Sequence, residues 1–382
     1  MFFRRTSFMY LLTLMLASLL VSHAALAALP PAPSVDARAY VLIDYNSGKI
    51  LAGDKADERM EPASLTKIMT VYVVLNELKA GKIKLSDNVL ISEKAWRMEG
   101  SRTFVEVGKT VPLEVLLKGL VVQSGNDATV ALAEHAAGSE EVFVSMMNQV
   151  AQKLGMSKTR FANSTGLPDA NHYTTANDLA LLTQAMIRDY PEHYSWYSIK
   201  EFSYNGIKQH NRNKLLWMDP TVDGVKTGHT ESAGYCLISS AKQNEMRLIA
   251  VVMGTKSENA RAIESQKLLG YGFRFFESHQ LYQPGKALAN ARVWKGSQQN
   301  LELGVARETY ITVPRDQYGN LKATIKLSPS IVAPVSKGAQ YGTVELTLAG
   351  EKITEYPLVA LQAIPEGGFF SRLVDGAKML LQ

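Results

Sequence analysis

The strongest constraint on the fold is an almost continuously apolar segment from Ser64 to Leu78. A segment that is apolar all round fits a helix buried on every side, rather than a helix at the surface. The stretch from Val115 to Ala137 has the same character. A further helix, Leu179 to Arg188, has apolar residues at a period of 3.6 and follows Asn177 and Asp178, which are suited to cap it. The middle of the chain is therefore predicted to be helical and deeply packed.

Two predicted strand pairs flank these helices. They are Ala39 to Asp44 with Lys49 to Ala52, and Tyr235 to Ala241 with Arg247 to Met253. The first pair is joined by a turn signal at residues 46–48, and a last helix, Glu264 to Phe276, is expected to pack back on the sheet. Strands, helices, strands and a closing helix indicate an α/β domain that ends near Ser278.

The composition changes after residues 283–285, Gln-Pro-Gly. Short alternating runs separated by turn residues then continue to about Ile364 and predict a small all-β domain. The clearest runs are Glu308 to Val313, Lys322 to Leu327 and Gly342 to Leu348. With 382 residues the chain is long enough for two domains. We predict a signal peptide at 1–27, the α/β domain at 28–278, the β domain at 279–364 and a terminal helix at 365–382.

The terminal segment predicts an amphipathic helix. Its apolar residues fall within an arc of about 140°, and they are Phe369, Phe370, Leu373, Val374, Ala377, Leu380 and Leu381. The polar residues opposite are Arg372, Asp375, Lys378 and Gln382. Such a helix either packs on its own domain or lies in a membrane surface, and its place at the extreme terminus favours the membrane.

The N-terminus predicts export. Arg4 and Arg5 precede an apolar run from Phe8 to Val21, and small residues before Ala28 complete a signal peptide with its cleavage site. An uncleaved membrane anchor is the alternative, although the run is shorter than the ~20 residues that a spanning helix needs. Cys236 is the one cysteine, so no intramolecular disulfide forms, and its apolar neighbours indicate a buried thiol. These features suit the bacterial periplasm.

Several function classes have little support. The net charge is only +5, and the chain has no dense Lys/Arg tract with interleaved aromatic residues, which argues against nucleic-acid binding. The histidines are scattered, without a His-Glu-x-x-His motif, so no metal or other cofactor is expected. In the predicted mature chain they are His135, His172, His193, His210, His229 and His279.

A serine and a lysine in the buried helix form the first chemical motif, Ser-Leu-Thr-Lys at residues 64–67. Lys67 lies about one turn after Ser64 on the same helical face. A serine hydroxyl is a poor nucleophile until a base takes its proton, and a lysine is such a base only when it is neutral. Burial or a second cation lowers a lysine pKa enough for this. The same pattern recurs at residues 239–242, which we interpret as a strand end and a turn.

Two further motifs strengthen this hypothesis. Lys-Thr-Gly occurs at residues 226–228, where Gly228 permits close approach of a substrate backbone and Lys226 is a candidate for the second cation. Ser-Gly-Asn at residues 124–126 follows an apolar run that can hold it rigidly. We reject the literal Ser-Asp-Asn at residues 86–88, because it lies in a polar turn soon after the first motif.

Taken together, the three motifs resemble those of penicillin-recognising serine enzymes. Longer stretches are similar to the low-molecular-mass penicillin-binding D-alanyl-D-alanine carboxypeptidases, and they are residues 120–128, 211–213, 222–230, 272–277 and 364–367. The resemblance covers nearly the whole mature chain. It implies a β-lactamase/transpeptidase-like antiparallel sheet flanked by helices, then a small β domain and a C-terminal amphipathic helix on the periplasmic face of the inner membrane.

The resemblance also implies the reaction and the roles of the residues. The terminal D-alanine of peptidoglycan pentapeptides is removed through an acyl-enzyme, and β-lactams inhibit. Ser64 attacks, Lys67 is the base and Ser124 relays a proton. Substrate binding falls to Asn126, Lys226, Thr227, Gly228, His229 and Arg212, and the backbone N–H groups of Ser64 and His229 form the oxyanion hole. The spacing from Arg212 to Lys226 is one residue shorter than usual in the family, so a surface or structural arginine is the alternative there.

Three other functions share this core. A class A β-lactamase uses an additional glutamate to clear the acyl-enzyme, and the loop from Phe161 to Asp169 has none, so slow release of penicillin is expected. Related D,D-endopeptidases usually lack the second domain and the terminal helix. A non-catalytic wall-binding scaffold needs neither Lys67 nor Lys226.

Overall fold

The computed structural model describes residues 29–380. The predicted signal peptide and the last two residues of the predicted terminal helix lie outside this range. All elements given below belong to one compact unit that begins at Pro33. Within residues 29–380, no helix combines the length and the apolar character needed to cross a bilayer.

The strands, in chain order, are β1 (Ala39–Asp44), β2 (Ile50–Asp54), β3 (Asn88–Leu90), β4 (Thr110–Pro112), β5 (Glu201–Tyr204), β6 (Ile207–His210), β7 (Val222–Thr230), β8 (Gly234–Gln243), β9 (Met246–Thr255), β10 (Phe276–Tyr282), β11 (Ala289–Trp294), β12 (Asn300–Gly304), β13 (Thr309–Pro314), β14 (Leu321–Leu327), β15 (Ile331–Val332), β16 (Gln340–Leu348) and β17 (Glu351–Ala360).

The α-helices are α1 (Lys67–Lys79), α2 (Glu93–Trp96), α3 (Leu113–Gln123), α4 (Asn126–Ala137), α5 (Glu140–Lys153), α6 (Ala176–Asp189), α7 (Pro191–Tyr194), α8 (Leu215–Met218), α9 (Glu258–Phe275) and α10 (Phe369–Met379). Short 3-10 helices occur at Ala63–Thr66, Ser195–Ser198 and Tyr318–Asn320.

An antiparallel five-stranded sheet, in the order β2-β1-β9-β8-β7, forms the centre of the α/β domain. Its central strand β9 is buried almost throughout, because both faces of the sheet are covered. Successive side chains of a strand point to opposite faces, and here Val251 enters the core that contains α1 while Val252 enters the core that contains α9. The predicted fold class, a sheet flanked by helices, is confirmed.

The predicted buried helix is also confirmed, with one refinement. Residues 63–66 form a 3-10 turn, and α1 continues from Lys67 to Lys79 with Lys67 itself completely buried. The stretch Val115 to Ala137 is not one helix. Ser124 has a left-handed backbone (φ 66°), which ends α3, and α4 starts two residues later. This break carries the predicted Ser-Gly-Asn motif.

Helix starts were predicted less well. Helix α6 is capped by Thr175, whose side chain accepts a hydrogen bond from the backbone N–H of Asp178, rather than by Asn177 and Asp178. Helix α9 begins at Glu258, six residues before the predicted start, because Ser257 caps it. Both caps use a hydroxyl to satisfy an N–H that has no partner inside the helix.

The separate β domain has a core of its own. A six-stranded sheet in the order β14-β16-β17-β12-β11-β15 packs with the β10-β13 pair around residues such as Val293, Leu301 and Val313. β11 and β15 are parallel and the other pairs are antiparallel. Strand β10 runs across the predicted boundary at Ser278, pairing with β13.

The predicted terminal helix is present as α10, and its polar side faces the β domain. Asp375 is only 3% exposed, and its carboxylate accepts a hydrogen bond from the backbone N–H of Lys295 (2.7 Å) and lies 3.4 Å from the guanidinium of Arg292. The opposite, apolar side is open, with Phe370 81% exposed and Leu373 56% exposed. Packing on the domain therefore uses the polar side and leaves the apolar arc uncovered.

Candidate active site

The Ser-Leu-Thr-Lys motif places an amine against a hydroxyl. The Nζ atom of Lys67 lies 3.0 Å from Oγ of Ser64, because the 3-10 turn and the first turn of α1 bring both side chains to the same side. The same Nζ donates to Oδ1 of Asn126 and to the backbone carbonyl of Thr165, both at 2.7 Å. Each of the three hydrogens of a protonated Lys67 amine is therefore directed at an acceptor oxygen.

The environment of Lys67 favours the free amine. Burial, and then the positive charge of Arg212, lower the pKa of Lys67 to about 7, although the carboxylate of Asp127 acts in the opposite direction. Burial has this effect because the charged form loses its hydration. A substantial fraction of Lys67 is therefore neutral near pH 7 and can accept a proton from Ser64.

The Ser-Gly-Asn motif lies at the break between α3 and α4. Asn126 starts α4 and donates through Nδ2 to the carbonyl of Glu99 at 2.6 Å, which leaves its Oδ1 for Lys67. The Oγ of Ser124 is buried and has no hydrogen-bond partner within the described chain. Because buried hydroxyls are nearly always paired, this one is suited to a group that binds in the cleft.

The Lys-Thr-Gly motif lies on β7 at the edge of the sheet. Lys226 is buried, and its Nζ donates to the carbonyl of Thr227 at 3.1 Å. Burial, followed by repulsion from Lys67, Arg212 and Arg261, holds the pKa of Lys226 well below its ordinary value. Arg212 thus acts on both buried amines. The positive charge that lowers the pKa of Lys67 is that of Arg212, whereas the sequence had proposed Lys226 for this role.

Gly228 is required where β7 meets the serine turn. A Cβ atom there would lie 3.1 Å from the carbonyl oxygen of Pro62 and 3.3 Å from Cβ of Ala63. These contacts are tighter than ordinary van der Waals packing, so a side chain would require the strand and the turn that carries Ser64 to move apart by a few tenths of an ångström. This packing is a reason for glycine that is separate from the predicted close approach of a substrate backbone.

A single cleft of about 370 Å³ joins the three motifs. The predicted residues that line it are Ser64, Ser124, Asn126, Arg212, Thr227, Gly228 and His229. Lys67 and Lys226 lie buried at its wall. The structure therefore brings every predicted site residue to one place, and Arg212 lines the cleft instead of serving only as a surface or structural arginine.

Other residues of the cleft were missed from the sequence. Arg261, on α9, lines it, donates to the carbonyl of Gly228 at 3.3 Å and has its guanidinium 5.7 Å from the ring centroid of Tyr235. Gly100 and Ser101 line the opposite side, where the backbone N–H of Asn126 donates to the carbonyl of Ser101. None of these residues belongs to a short motif, so sequence spacing gave no signal for them.

The loop at residues 161–169, which was not predicted to contribute residues to the site, covers the serine turn. The side chain of Asn163 accepts hydrogen bonds from the backbone N–H groups of Thr165 and Gly166, which shapes the loop. Gly166 has φ of +87°, and a Cβ at this position would overlap the carbonyl group of Ala63. The loop is pressed directly against the turn that carries Ser64, and it supplies the carbonyl of Thr165 to Lys67.

Comparison with known proteins identifies the family. The profile of the family described as D-alanyl-D-alanine carboxypeptidase matches residues 26–257, more than half of the chain. The chain belongs to this family. A second profile, described as the C-terminal domain of penicillin-binding protein 5, matches residues 276–366.

Individual members of the family match over most of the chain. D-alanyl-D-alanine carboxypeptidase DacA of Escherichia coli (strain K12) is 47% identical over 360 residues, which cover 92% of this chain and 89% of that protein. DacF of Bacillus subtilis (strain 168) is 38% identical over 350 residues, covering 88% of each. The predicted membership of the penicillin-binding carboxypeptidase family is confirmed.

Solved structures of the family agree with the fold. Penicillin-binding protein 5 from Haemophilus influenzae has 43% sequence identity and a TM-score of 0.86, covering 88% of this chain and all of that one. Penicillin-binding protein D2 from Listeria monocytogenes, in its ampicillin-bound form, has 29% identity and a TM-score of 0.59, covering 64% of this chain and all of that one.

Among residues 29–380, no cluster of three or more His, Cys, Asp or Glu side chains is arranged to hold a metal ion.

Proposed function

We propose that this protein is a serine-type D-alanyl-D-alanine carboxypeptidase that removes the terminal D-alanine from peptidoglycan pentapeptides. The observation that carries the proposal is the 3.0 Å contact between Nζ of a fully buried Lys67 and Oγ of Ser64 at the mouth of a cleft. Release of D-alanine from a peptide ending in D-alanyl-D-alanine, compared between the native protein and Ser64→Ala, tests it.

Acylation begins with a proton transfer. The O–H proton of Ser64 passes to the lone pair of Lys67 Nζ while Oγ forms a bond to the carbonyl carbon of the penultimate D-alanine. The carbonyl oxygen takes the negative charge and is stabilised by the backbone N–H groups of Ser64 and His229. When the C–N bond breaks, Ser124 gives its proton to the leaving amine and receives in its place the proton that Lys67 took from Ser64. D-alanine departs, an acyl group is left on Ser64, and Lys67 is again a free amine.

Deacylation uses the same groups in reverse order. A water molecule gives a proton to the free amine of Lys67 as its oxygen attacks the ester carbonyl. The bond between that carbon and Oγ of Ser64 breaks, and Oγ takes the proton back from Lys67. The shortened peptide leaves as a carboxylic acid that gives its remaining proton to solvent, and both side chains return to their first state.

Substrate recognition is assigned to the rest of the cleft. Asn126 and the edge of β7 at Gly228 hold the peptide backbone, while Thr227 and Arg212 hold the terminal carboxylate. A guanidinium is well matched to a carboxylate because its N–H groups form two parallel hydrogen bonds. Arg212 and Arg261 line the cleft and keep it electropositive, while Lys226 lies buried in its wall. An anionic peptide terminus is therefore favoured beside Ser64.

Penicillin is expected to acylate Ser64 and to leave slowly. The loop over the serine turn, residues 161–169, contains no glutamate of the kind that activates water in a class A β-lactamase. Glu258 does line the cleft, but its carboxylate lies 3.5 Å from Lys214 and 3.8 Å from Arg261, so it is ion-paired. Intact-mass spectrometry over time should show a persistent adduct of benzylpenicillin, and rapid return to the free mass would contradict this prediction.

We propose that α10 lies in the membrane surface, on the periplasmic face of the inner membrane. Five apolar residues of this helix region are more than half exposed, and they are Phe369, Phe370, Leu373, Val374 and Leu380. Apolar burial then supplies the attachment, since Arg372 is already paired with Glu366 and adds little attraction to anionic lipid. The signal peptide at 1–27 and the domain limits 28–278, 279–364 and 365–382 complete this proposed organisation.

Removal of residues 369–382 is expected to move the exported protein from the membrane fraction to the soluble fraction. The loss follows from the apolar side chains that no longer enter the bilayer surface. Fractionation of cells, followed by labelling with fluorescent penicillin, measures it. A matched control replaces Ile325 and Leu327, which are exposed on β14, with serine and should leave the distribution unchanged. Membrane retention of the shortened chain would contradict the prediction.

A further inference from the structure

We propose that Glu140 is a positioning residue for the catalytic amine: it holds the carbonyl of Thr165 in place, and that carbonyl orients Lys67 toward Ser64. The inference rests on the proposed function, because it assigns a role in the acylation step. Glu140 is the first residue of α5, is almost fully buried, and is absent from the residues that line the cleft. It therefore acts through other groups.

The contact between Glu140 and the loop is direct. Its Oε1 accepts two hydrogen bonds from Ser164, one from the backbone N–H at 3.1 Å and one from Oγ at 2.6 Å. From the other side, Oγ1 of Thr70 donates to the carbonyl of Ser164 at 2.6 Å. Ser164 is thus fixed at its N–H, its side chain and its carbonyl. The next carbonyl along the chain, that of Thr165, is the one that Lys67 uses.

The geometry matters because a neutral amine has two N–H groups and one lone pair. The carbonyl of Thr165 can only accept, and Oδ1 of Asn126 is an acceptor because Nδ2 of that amide donates to Glu99. Both N–H groups of Lys67 are then used, and its lone pair is left facing the hydroxyl of Ser64. If the Thr165 carbonyl moves, an N–H can turn to Ser64 instead, and an N–H cannot take the proton.

The negative charge of Glu140 strengthens its hydrogen bonds to Ser164. Burial acts to raise its pKa, but hydrogen bonds from Ser164 and Lys94 outweigh burial and hold the pKa of Glu140 below its ordinary value. Lys94 lies 2.9 Å from Oε2 and also 3.0 Å from the exposed Glu141. Glu140 is therefore an ionised acceptor at neutral pH, and hydrogen bonds to a charged acceptor are stronger than neutral ones.

A buried ion pair can contribute to folding stability without affecting the reaction. A second buried glutamate in the chain provides the matched control for this alternative. Glu77, on α1, is ion-paired with Lys82 at 2.8 Å, and its side chain has the same 11% exposure as that of Glu140. Glu77 does not line the cleft. Glu77→Gln therefore removes a comparable buried charge whose ion pair is with Lys82 and not with the loop that carries Thr165.

The test compares Glu140→Gln, Ser164→Ala, the double variant and Glu77→Gln in the full-length protein. Acylation of Ser64 by labelled benzylpenicillin and release of D-alanine are measured, with thermal unfolding in parallel. Glu140→Gln and Ser164→Ala should each slow acylation by about 10-fold to 100-fold with KM for the peptide little changed, because a small displacement of a reacting group is costly. The double variant should be no slower than the slower single variant, and Glu77→Gln should stay within about twofold.

The pH dependence of acylation distinguishes a positioning role from a purely structural one, because a change in folding stability alone does not shift it. The charged and titratable groups around Lys67 are Arg212, Lys226, Asp127 and His172, and both substitutions leave them in place. A loosened loop admits water to Lys67, which weakens the effect of burial, so the pH at which acylation falls off on the acid side should move upward. If acylation of the variants falls off at the same pH as acylation of the native protein, the positioning role is contradicted.

Other outcomes decide the inference as clearly. Equal slowing by Glu77→Gln, or strictly multiplicative effects in the double variant, would overturn it. If Glu140→Gln does not fold, Ser164→Ala alone decides, and an unchanged acylation rate in that variant overturns the inference. Failure of the native protein to be acylated or to release D-alanine would instead refute the proposed function, so the two failures are distinguishable.

Discussion

Replacing Ser64 with alanine is expected to lower the release of D-alanine by a factor of about 10⁴ or more and to abolish covalent labelling by penicillin. Without Oγ, no ester to the peptide can form, and Lys67 has no hydroxyl within reach to deprotonate. The residual rate depends only on the binding groups of the cleft and the oxyanion hole, which do not supply a nucleophile. This is the largest loss that any single substitution in the chain should cause.

The assay uses a synthetic peptide ending in D-alanyl-D-alanine and quantifies free D-alanine. Ser86→Ala is the matched control, because Ser86 is exposed and belongs to the rejected copy of the Ser-x-Asn motif. That variant should keep the native rate within about twofold. Native-like turnover by Ser64→Ala would show that another group is the nucleophile and would overturn the mechanism.

Replacing Lys67 with methionine is expected to slow acylation of Ser64 by about 10²-fold to 10⁴-fold, the usual contribution of a general base. Methionine fills a similar volume but has no lone pair basic enough to accept the proton. It also leaves the carbonyl of Thr165 and Oδ1 of Asn126 without their donor, so some loss of stability should accompany the loss of rate. Stopped-flow or quenched labelling with a chromogenic β-lactam measures the acylation rate directly.

The pH dependence gives a second test of the same role. Lys67 accepts a proton only when it is neutral, so the native acylation rate should fall as the pH drops through about 7. Arg212→Gln removes a positive charge that lowers this pKa, so in that variant the fall should begin at higher pH. Lys242→Ala, in the second Ser-x-x-Lys pattern, is the control and should behave as the native protein does. A flat profile between pH 5 and pH 9 would show that Lys67 is not the base.

The sequence was sufficient for the three motifs and for most elements of the fold, for local reasons. Apolar periodicity and turn residues report on helices and strands within a short window, and they located α1 and the β8-β9 hairpin closely. The break at Ser124 was missed because a left-handed residue inside an apolar run leaves the periodicity unchanged. Helix starts moved because one capping hydroxyl, such as Ser257, outweighs the composition of the first turn.

The remaining parts of the site come from contacts between distant segments. The carbonyl of Thr165 is a backbone group, so its role does not depend on the residue type and leaves no signal in the sequence. It also contacts a lysine that is 98 positions away in the sequence. Arg261 reaches the cleft only because α9 packs beside the strand that carries Gly228. Such pairings depend on the tertiary packing of the domain, and a motif search in one sequence does not register them.

The close packing of Gly166 on the turn of Ser64 limits the ways in which this chain could evolve into an enzyme that hydrolyses penicillin. A water-activating carboxylate would have to arise near the acyl group, and Gly166 is one of the loop residues that line the cleft with Ser64. Because even a Cβ at that position overlaps the carbonyl group of Ala63, the substitution would push the nucleophile out of line. Evolution toward penicillin destruction must therefore start from a different residue or first rebuild the loop.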